Sequence, residues 1–210
     1  MVTIALFGGT GRTGHRVLAR ALAAGYEVRA LVRDPGPLTV SSPAPTVIGG
    51  DVLDPRAVGD TVAGSDVVLS LFGQVKGSPP ALQTDGTRNI VDAMKRHGVG
   101  RIVTLSGGGL SAPLDRPKLP DRIIRFLLRK FSGPVLADAE GHLEVLEASG
   151  LEWTVVRGPR LTEKPGSQSY RVGWVGVDAS TQISRDDLAD FILTQAEDRT
   201  YVRQMPFVST

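Results

Sequence analysis

The stretch Ile4-Ala5-Leu6-Phe7-Gly8-Gly9-Thr10-Gly11-Arg12-Thr13-Gly14-His15-Arg16-Val17-Leu18 decides the fold. It opens on a continuous apolar run, Ile4 to Phe7, the pattern of a strand buried on both faces. Beyond Gly14, Val17, Leu18, Ala21 and Leu22 recur at helical spacing, and Gly25 supplies the stop for a helix over residues 13–24. Between strand and helix stand Gly8, Gly11 and Gly14, spaced GxxGxxG. In that setting Gly8 permits a tight turn, Gly11 lets the backbone come close to a ligand, and Gly14 lets the helix pack on the strand. The helix N-terminus adds free N–H groups and a partial positive charge. The order strand, glycine turn, helix predicts a pyrophosphate cradle made by Gly8, Thr10, Gly11, Arg12, Thr13 and Gly14.

Outward from this unit the same alternation continues. Apolar runs predict strands over residues 28–33, 46–48, 66–72, 101–106 and 153–157. Helical spacing predicts helices over residues 81–97 and 134–149, and Ser184 reads as the N-cap of a helix through Ala196, with Asp186 and Asp187 in its positive first turn. Residues 201–208 suggest a last edge strand. Apolar strands alternating with helices predict an α/β, Rossmann-like, doubly wound and mostly parallel sheet, with residues 1–210 as a single domain. Residues 34–45, 73–80 and 107–120 read as loops at or near the C-terminal ends of strands, where open parallel sheets bind ligands.

Composition narrows the function. The chain has 210 residues, 41% hydrophobic and 22% charged, which is ordinary for a soluble globular domain. A net charge of +2 does not suit a polyanion binder, so no nucleic-acid partner is expected. The absence of cysteine excludes disulfides and thiolate chemistry and favours a reducing, cytoplasmic setting. The first apolar run is too short to span a bilayer and lacks a basic leader and a cleavage site, so no membrane partner is expected either. His15, His97 and His142 are scattered without ligand spacing, which predicts no metal.

The GxxGxxG spacing, with Thr10 between the glycines, resembles the extended or atypical short-chain dehydrogenases. Leu31-Val32-Arg33-Asp34, Gly50-Asp51-Val52, Asp85-Gly86-Thr87-Arg88-Asn89, Ser149-Gly150-Leu151 and Val155-Val156-Arg157-Gly158-Pro159-Arg160-Leu161 add to the match. Together these resemble the NAD(P)-binding proteins grouped with the biliverdin-IXβ and flavin reductases, across nearly the whole chain and most strongly over residues 1–106. The resemblance implies NADP(H) as cofactor and a monomer. It also implies Arg33 on the 2′-phosphate, Asp51 and Val52 beside the adenine, and Leu71, Phe72 and Gly73 beside the adenosine ribose. At the nicotinamide end it implies Ser106 and Gly107 with Pro159 and Arg160. The residues alone leave the cofactor open. Asp34 stands at the spacing of an NAD ribose ligand, whereas Arg33 at a strand end and Arg12 in the glycine loop favour the 2′-phosphate of NADP.

The reacting end is marked by an absence. Residues Ala30, Trp174 and Met205 stand four places after Tyr26, Tyr170 and Tyr201, so the Tyr-x-x-x-Lys proton donor of typical short-chain dehydrogenases is missing. Reduction of a ketone needs such a donor. Flavins, quinones and linear tetrapyrroles delocalise the incoming electrons and need mainly stacking and orientation. Ser106 ends a strand at the position of the fold's catalytic serine, and its alternative role is a loop hydroxyl bonded to backbone. The glycines at 107–109 leave room for a flat ring, a departure from the bulkier biliverdin-reductase pattern. Asp138 matches an acidic position of that pattern, Glu140 is a weaker candidate, and His142 reads as a packed histidine.

Residues 115–130 carry six Lys or Arg against two Asp, with Ile123, Ile124, Leu127, Leu128 and Phe131 at helical spacing. An amphipathic helix on the sheet's rim is the first reading, a lid for an anionic substrate the second, and membrane-surface binding the last. The expectation for the whole chain is an NADPH-dependent reductase of a flavin, quinone or related small conjugated acceptor. The alternative is a non-catalytic NADP(H) sensor, like the nitrogen-repression regulators of the same superfamily.

Overall fold

The buried first strand, β1 (Thr3–Phe7), lies in the middle of the sheet between β2 (Glu27–Val32) and β4 (Val67–Ser70), parallel to both. Its side chains alternate. Ile4 and Leu6 enter one core layer, while Ala5 and Phe7 enter the other, as the period of a strand requires. The computed structural model describes residues 1–34 and 44–210; most of the loop expected at residues 34–45 therefore lies outside the described residues. With β3 (Thr46–Gly49), β5 (Arg101–Gly107), β6 (Glu152–Gly158), β8 (Arg171–Gly173) and β10 (Phe207–Ser209), the sheet is ordered β3-β2-β1-β4-β5-β6-β10-β8. Every pairing is parallel except β8 with β10. A second, two-stranded sheet joins β7 (Arg160–Thr162) to β9 (Gln182–Ser184).

Both faces are covered by helices, so the strands are apolar throughout. On one face α1 (Arg12–Ala23) and α5 (Arg185–Thr194) bury Leu18 and Ile192. On the other, α2 (Pro55–Val62), α3 (Leu82–His97) and α4 (Leu119–Glu147) bury Val58, Ile90 and Leu146. The α/β, doubly wound, mostly parallel sheet is thus as expected.

The structure departs from the sequence reading in four places. The final strand is not at an edge: β10 is held between β6 and β8, because β8 returns antiparallel to cover it. Helix α2 was not expected. It begins where the Asp54 carboxylate accepts the Arg56 N–H at 2.9 Å and Pro55 fills the first helical position. The two helices expected after residue 120 are one span, α4, interrupted at Ser132 with φ −132° and ψ 27°, just ahead of Pro134. Nor does the first half of α4 pack its apolar side on the sheet's rim: Ile123, Ile124 and Leu127 are 52%, 55% and 45% exposed. The side chains of Leu128 and Phe131 lie outside the described residues.

One ion pair holds the loop after β5. Arg157, fully buried on β6, meets Asp115 in a double contact at 2.8 and 2.9 Å. Its Nε and Nη1 also donate to the carbonyls of Met205 and Leu110, at 2.9 and 2.8 Å. Asp115 also accepts the N–H groups of Ala112 and Val175. Burial alone would raise the Asp115 pKa, but the Arg157 contact and the backbone donors outweigh it and hold the carboxyl below its ordinary range. Asp115→Ala, which strands a buried guanidinium, should lower unfolding stability by about 3–5 kcal/mol in urea titration. A loss under 1 kcal/mol would mean that water reaches Arg157 in the folded protein.

Candidate functional site

The cradle is built by exclusion of side chains. Gly8 has φ +82°, and a Cβ on it would come within 2.6 Å of the Phe72 nitrogen. A Cβ on Gly14 would overlap the Gly8 carbonyl oxygen, so only glycine lets α1 sit this close to the end of β1. The turn closes with the Gly11 N–H donating to the Gly8 carbonyl at 3.0 Å. Gly11 then serves as the N-cap of α1 without a capping side chain, and the first turn has no acidic residue. The orphan N–H groups therefore face the open groove, a ready anion site. This groove has a volume of about 490 Å³ and lies where the strand order reverses, between β1 and β4.

Gly8, Thr10, Gly11, Arg12, Thr13 and Gly14 line the groove, as do Arg33, Asp51, Val52, Leu71, Phe72 and Gly73. At its far end Leu31, Val52 and Phe72 offer an apolar slot beside the exposed Arg33. Asp51 braces its own turn by accepting the Leu53 N–H at 2.9 Å, and Asn89 donates to the Val52 carbonyl at 3.0 Å. Sequence reasoning missed Arg185. It lines the same groove, donates to the Thr13 hydroxyl at 3.0 Å and to Glu163 at 2.7 Å. Glu163 also accepts from Arg12 and Arg16, at 3.3 and 3.0 Å. The Arg185 hydrogen bond, with the charges of Arg16 and Arg12, holds Glu163 below the ordinary carboxylate range. The signal was legible: a cation in the first turn of a helix opposes the helix dipole and asks for a reason.

The groove opens into a second cavity of about 440 Å³, and Leu71, Phe72, Gly73, Gln74, Leu105 and Leu161 line both. Ser106, at the end of β5, and Gly107 form one wall, Pro159 another, and Val135, Leu136 and Ala139 of α4 a third. Ser106 is buried, and among the described residues its hydroxyl has no hydrogen-bond partner, so the role of a backbone-tied loop hydroxyl is not what the structure shows. Arg160 lines neither cavity. It starts β7 and donates to Gln182 at 3.3 Å, away from the position expected for it.

Asp138 also lies outside both cavities. Its carboxylate accepts the N–H groups of Gln83 and Thr84, each at 2.9 Å, with the Thr84 hydroxyl and the Gln74 amide at 2.8 Å. It caps α3, whose own N-cap, Ala81, has no capping side chain. Burial pushes the Asp138 pKa up, but these donors outweigh it and keep the group below its ordinary value. A carboxylate held that way is ionised at neutral pH and has no proton to give. Glu140 is exposed. His142 is packed, as expected. Burial drives its pKa down to about 4, partly opposed by Asp138, and its ring contacts the hydroxyls of Thr87 and Thr104. Among the described residues no group of side chains is placed to hold a metal ion, and no helix is long and apolar enough to cross a membrane.

The chain belongs to the NAD(P)H-binding family, whose family model matches residues 8–199. A Mycobacterium tuberculosis protein without an assigned function is 36% identical over 105 residues, 50% of this chain. The 3-diazoavenalumate denitrifying reductase of a Streptomyces species is 32% identical over 126 residues, 54% of this chain. The matches span 12% and 40% of those relatives' own lengths. Among solved structures, a Burkholderia pseudomallei protein provisionally named as exported is 27% identical, with TM-score 0.78 and both chains fully covered. The anaerobilin reductase ChuY of Escherichia coli O157:H7 superposes with TM-score 0.78 at 18% identity, covering 100% of this chain and 97% of that one. A Streptococcus pneumoniae protein provisionally named an NADH-flavin reductase gives 0.76 at 20%, covering 100% and 99%. The fold is the Rossmann fold of these neighbours, and the cofactor class is a nicotinamide dinucleotide.

Asp138→Ala should cost about 1–3 kcal/mol, because it orphans the buried N–H groups at the start of α3. A thermal melt reads the loss. The donors around Asp138 and Asp115 hold both carboxyls below the ordinary aspartate range. Their contribution is therefore complete above pH 4 and is lost as the pH falls through their lowered folded values. The gap between parent and Asp138→Ala should narrow below that pH; a constant gap would assign the effect to packing alone.

Proposed function

We propose that the chain is an NADPH-dependent reductase of a conjugated small molecule, such as a flavin or a quinone. One observation carries this reading. The cavity at the end of the cofactor groove is lined mainly by apolar side chains and glycine, and no ionisable side chain is among its lining residues. A carbonyl reductase needs an acid aimed at the forming alkoxide. A delocalised acceptor needs a flat slot and exclusion of water, and Gly107, Gly108 and Gly109 provide the flat wall. The reductase names among the relatives and the fold neighbours support the same class.

The groove fits the cofactor. The orphan N–H groups of α1, Arg12 and Arg185 would hold the pyrophosphate, and Arg33 the 2′-phosphate. Leu31, Val52 and Phe72 would enclose the adenine. When bound, NADPH supplies a hydride. The protein's part is to stack the acceptor against Leu136 and the glycine wall, and to donate one hydrogen bond from the Ser106 hydroxyl. The proton that completes the reduction comes from solvent at the cavity mouth. Asp138 acts as a positioning residue, because its hold on Gln74 and α3 shapes one wall. A monomer, implied by the family resemblance, and a cytoplasmic location, favoured by the absence of cysteine, complete the proposal.

Arg33→Ala should weaken NADPH binding by about 1.5–3 kcal/mol and leave NADH nearly unchanged, whereas Arg185→Ala should weaken both alike. Titration calorimetry with each dinucleotide separates the two. Equal losses from Arg33→Ala would return the assignment to NAD.

With NADPH, turnover is expected on free flavin or a short-chain quinone and not on simple aliphatic ketones. Ser106→Ala should lower kcat less than tenfold, since one neutral hydrogen bond contributes about 0.5–1.5 kcal/mol. A hundredfold fall at unchanged NADPH affinity would instead make Ser106 a true acid. Tight NADPH binding without turnover of any such acceptor would favour the sensor.

A further inference from the structure

The first half of α4 turns its apolar side away from the protein. Leu119, Ile123, Ile124, Phe126 and Leu127 are between 45% and 71% exposed. At 100° per residue these positions share about half of the helix circumference. The opposite side carries Asp121 and Arg125, which are half-buried against the body. The usual amphipathic arrangement is therefore inverted, and a contiguous apolar patch of this kind marks a surface that meets something other than water.

The charge around the patch says what it meets. Arg116, Lys118, Arg122 and Arg129 are exposed along the same segment. Of its two carboxylates, Asp115 is paired with Arg157 inside the protein, and Asp121 is half-buried and accepts the backbone N–H of Lys118 at 2.8 Å, so the exposed charge of the segment is mainly positive. We propose that residues 119–131 form an interfacial helix that lies on an anionic bilayer surface. Its apolar side enters the acyl boundary and its cations meet the lipid phosphates. The order of readings drawn from the sequence is thereby reversed, because that order assumed the apolar stripe was spent on the sheet. A two-fold pairing of this helix with a second copy would bring Arg122 and Arg129 against like charges, which disfavours self-association.

The surface leads into the site. Past the kink at Ser132, Val135 is 45% exposed and lines the acceptor cavity, as Ser132 does. A lipid-dissolved conjugated acceptor of the quinone class can then pass from the bilayer to the cavity without crossing water. This last step rests on the reductase reading; the membrane contact itself does not.

The test is flotation of the full chain with vesicles of phosphatidylcholine alone, or of phosphatidylcholine mixed with phosphatidylglycerol. Binding is expected to the mixed vesicles, little to the neutral ones, and less at high salt. Ile124→Asp with Phe126→Asp should abolish it, and Arg122→Gln with Arg129→Gln should weaken it about tenfold or more. All these positions are exposed, so melting temperature and NADPH affinity should stay at the parent values. Failure to float on either vesicle overturns the proposal. So does a concentration-dependent dimer that the aspartate pair converts to monomer, since the patch would then be a protein interface. Binding to mixed vesicles without reduction of any quinone or flavin would uphold the surface and sink the reductase reading.

Discussion

The half of the molecule that follows β5 hangs on the buried pair Arg157–Asp115. Residues 107–109 are glycines, with neither side-chain packing nor regular hydrogen bonding of their own beyond the end of β5. Burying a guanidinium and a carboxylate is costly, and geometry must repay the cost. Here it does so with four hydrogen bonds: Arg157 reaches Leu110, Met205 and both oxygens of Asp115, with the Phe207 ring 5.6 Å from its guanidinium carbon. Asp115 passes the constraint on to Ala112 and Val175. Four separate segments, the glycine loop, β6, the approach to β10 and the turn after β8, are thereby fixed to one another. They border the second cavity on one side.

The cofactor half is held by a different kind of constraint. Gly8 and Gly14 let main chain touch main chain, so the cradle's shape is set by hard contact and not by charge. That difference has a functional meaning. On the proposed reading, a cradle made by backbone holds the pyrophosphate and leaves discrimination to the few side chains at its rim, such as Arg33. A cavity whose wall is a glycine loop tied at one point can change its lining without disturbing the cradle, because the two share only Leu71 to Gln74, Leu105 and Leu161. One fold can therefore keep its cofactor while its acceptor varies.

What the sequence made legible was local. The β1–turn–α1 unit could be read because strand period, glycine spacing and helix period are all contained in about two dozen neighbouring residues. The continuous apolar runs likewise announced a sheet covered on both faces. What escaped depends on partners far away in the chain. Asp138 looks like a catalytic acid until Gln83 and Thr84, more than fifty residues earlier, are seen to consume its carboxylate. Arg185 looks like part of a helix start until Thr13 is found beside it. The place of β10 inside the sheet follows from β8, a strand of three residues too short to show a period. Helix α2 is eight residues long, below the length at which helical spacing is distinctive, though Asp54 and Pro55 carried its start signal. The apolar stripe of α4 was visible, but periodicity shows only that a face exists and not which way it points.

The arginines around Glu163 show how the cradle keeps itself ready for an anion. Helix N-termini ordinarily recruit an acidic side chain in the first turn, and α1 has none. A carboxylate fixed there would repel a phosphate at the distance of a hydrogen bond. Yet Arg12, Arg16 and Arg185 gather near the same helix end, and without a counter-charge they would repel one another. Glu163 supplies that charge from just beyond β7, on a side chain 51% exposed to water. Its attraction to each arginine is screened by solvent, so it offsets their repulsion at little cost to displace. A dinucleotide arriving with two phosphates offers more charge at closer range, backed by the N–H groups of α1 that Glu163 does not reach. The negative charge that α1 lacks in its own first turn is thus held on a neighbouring element, where it can move aside.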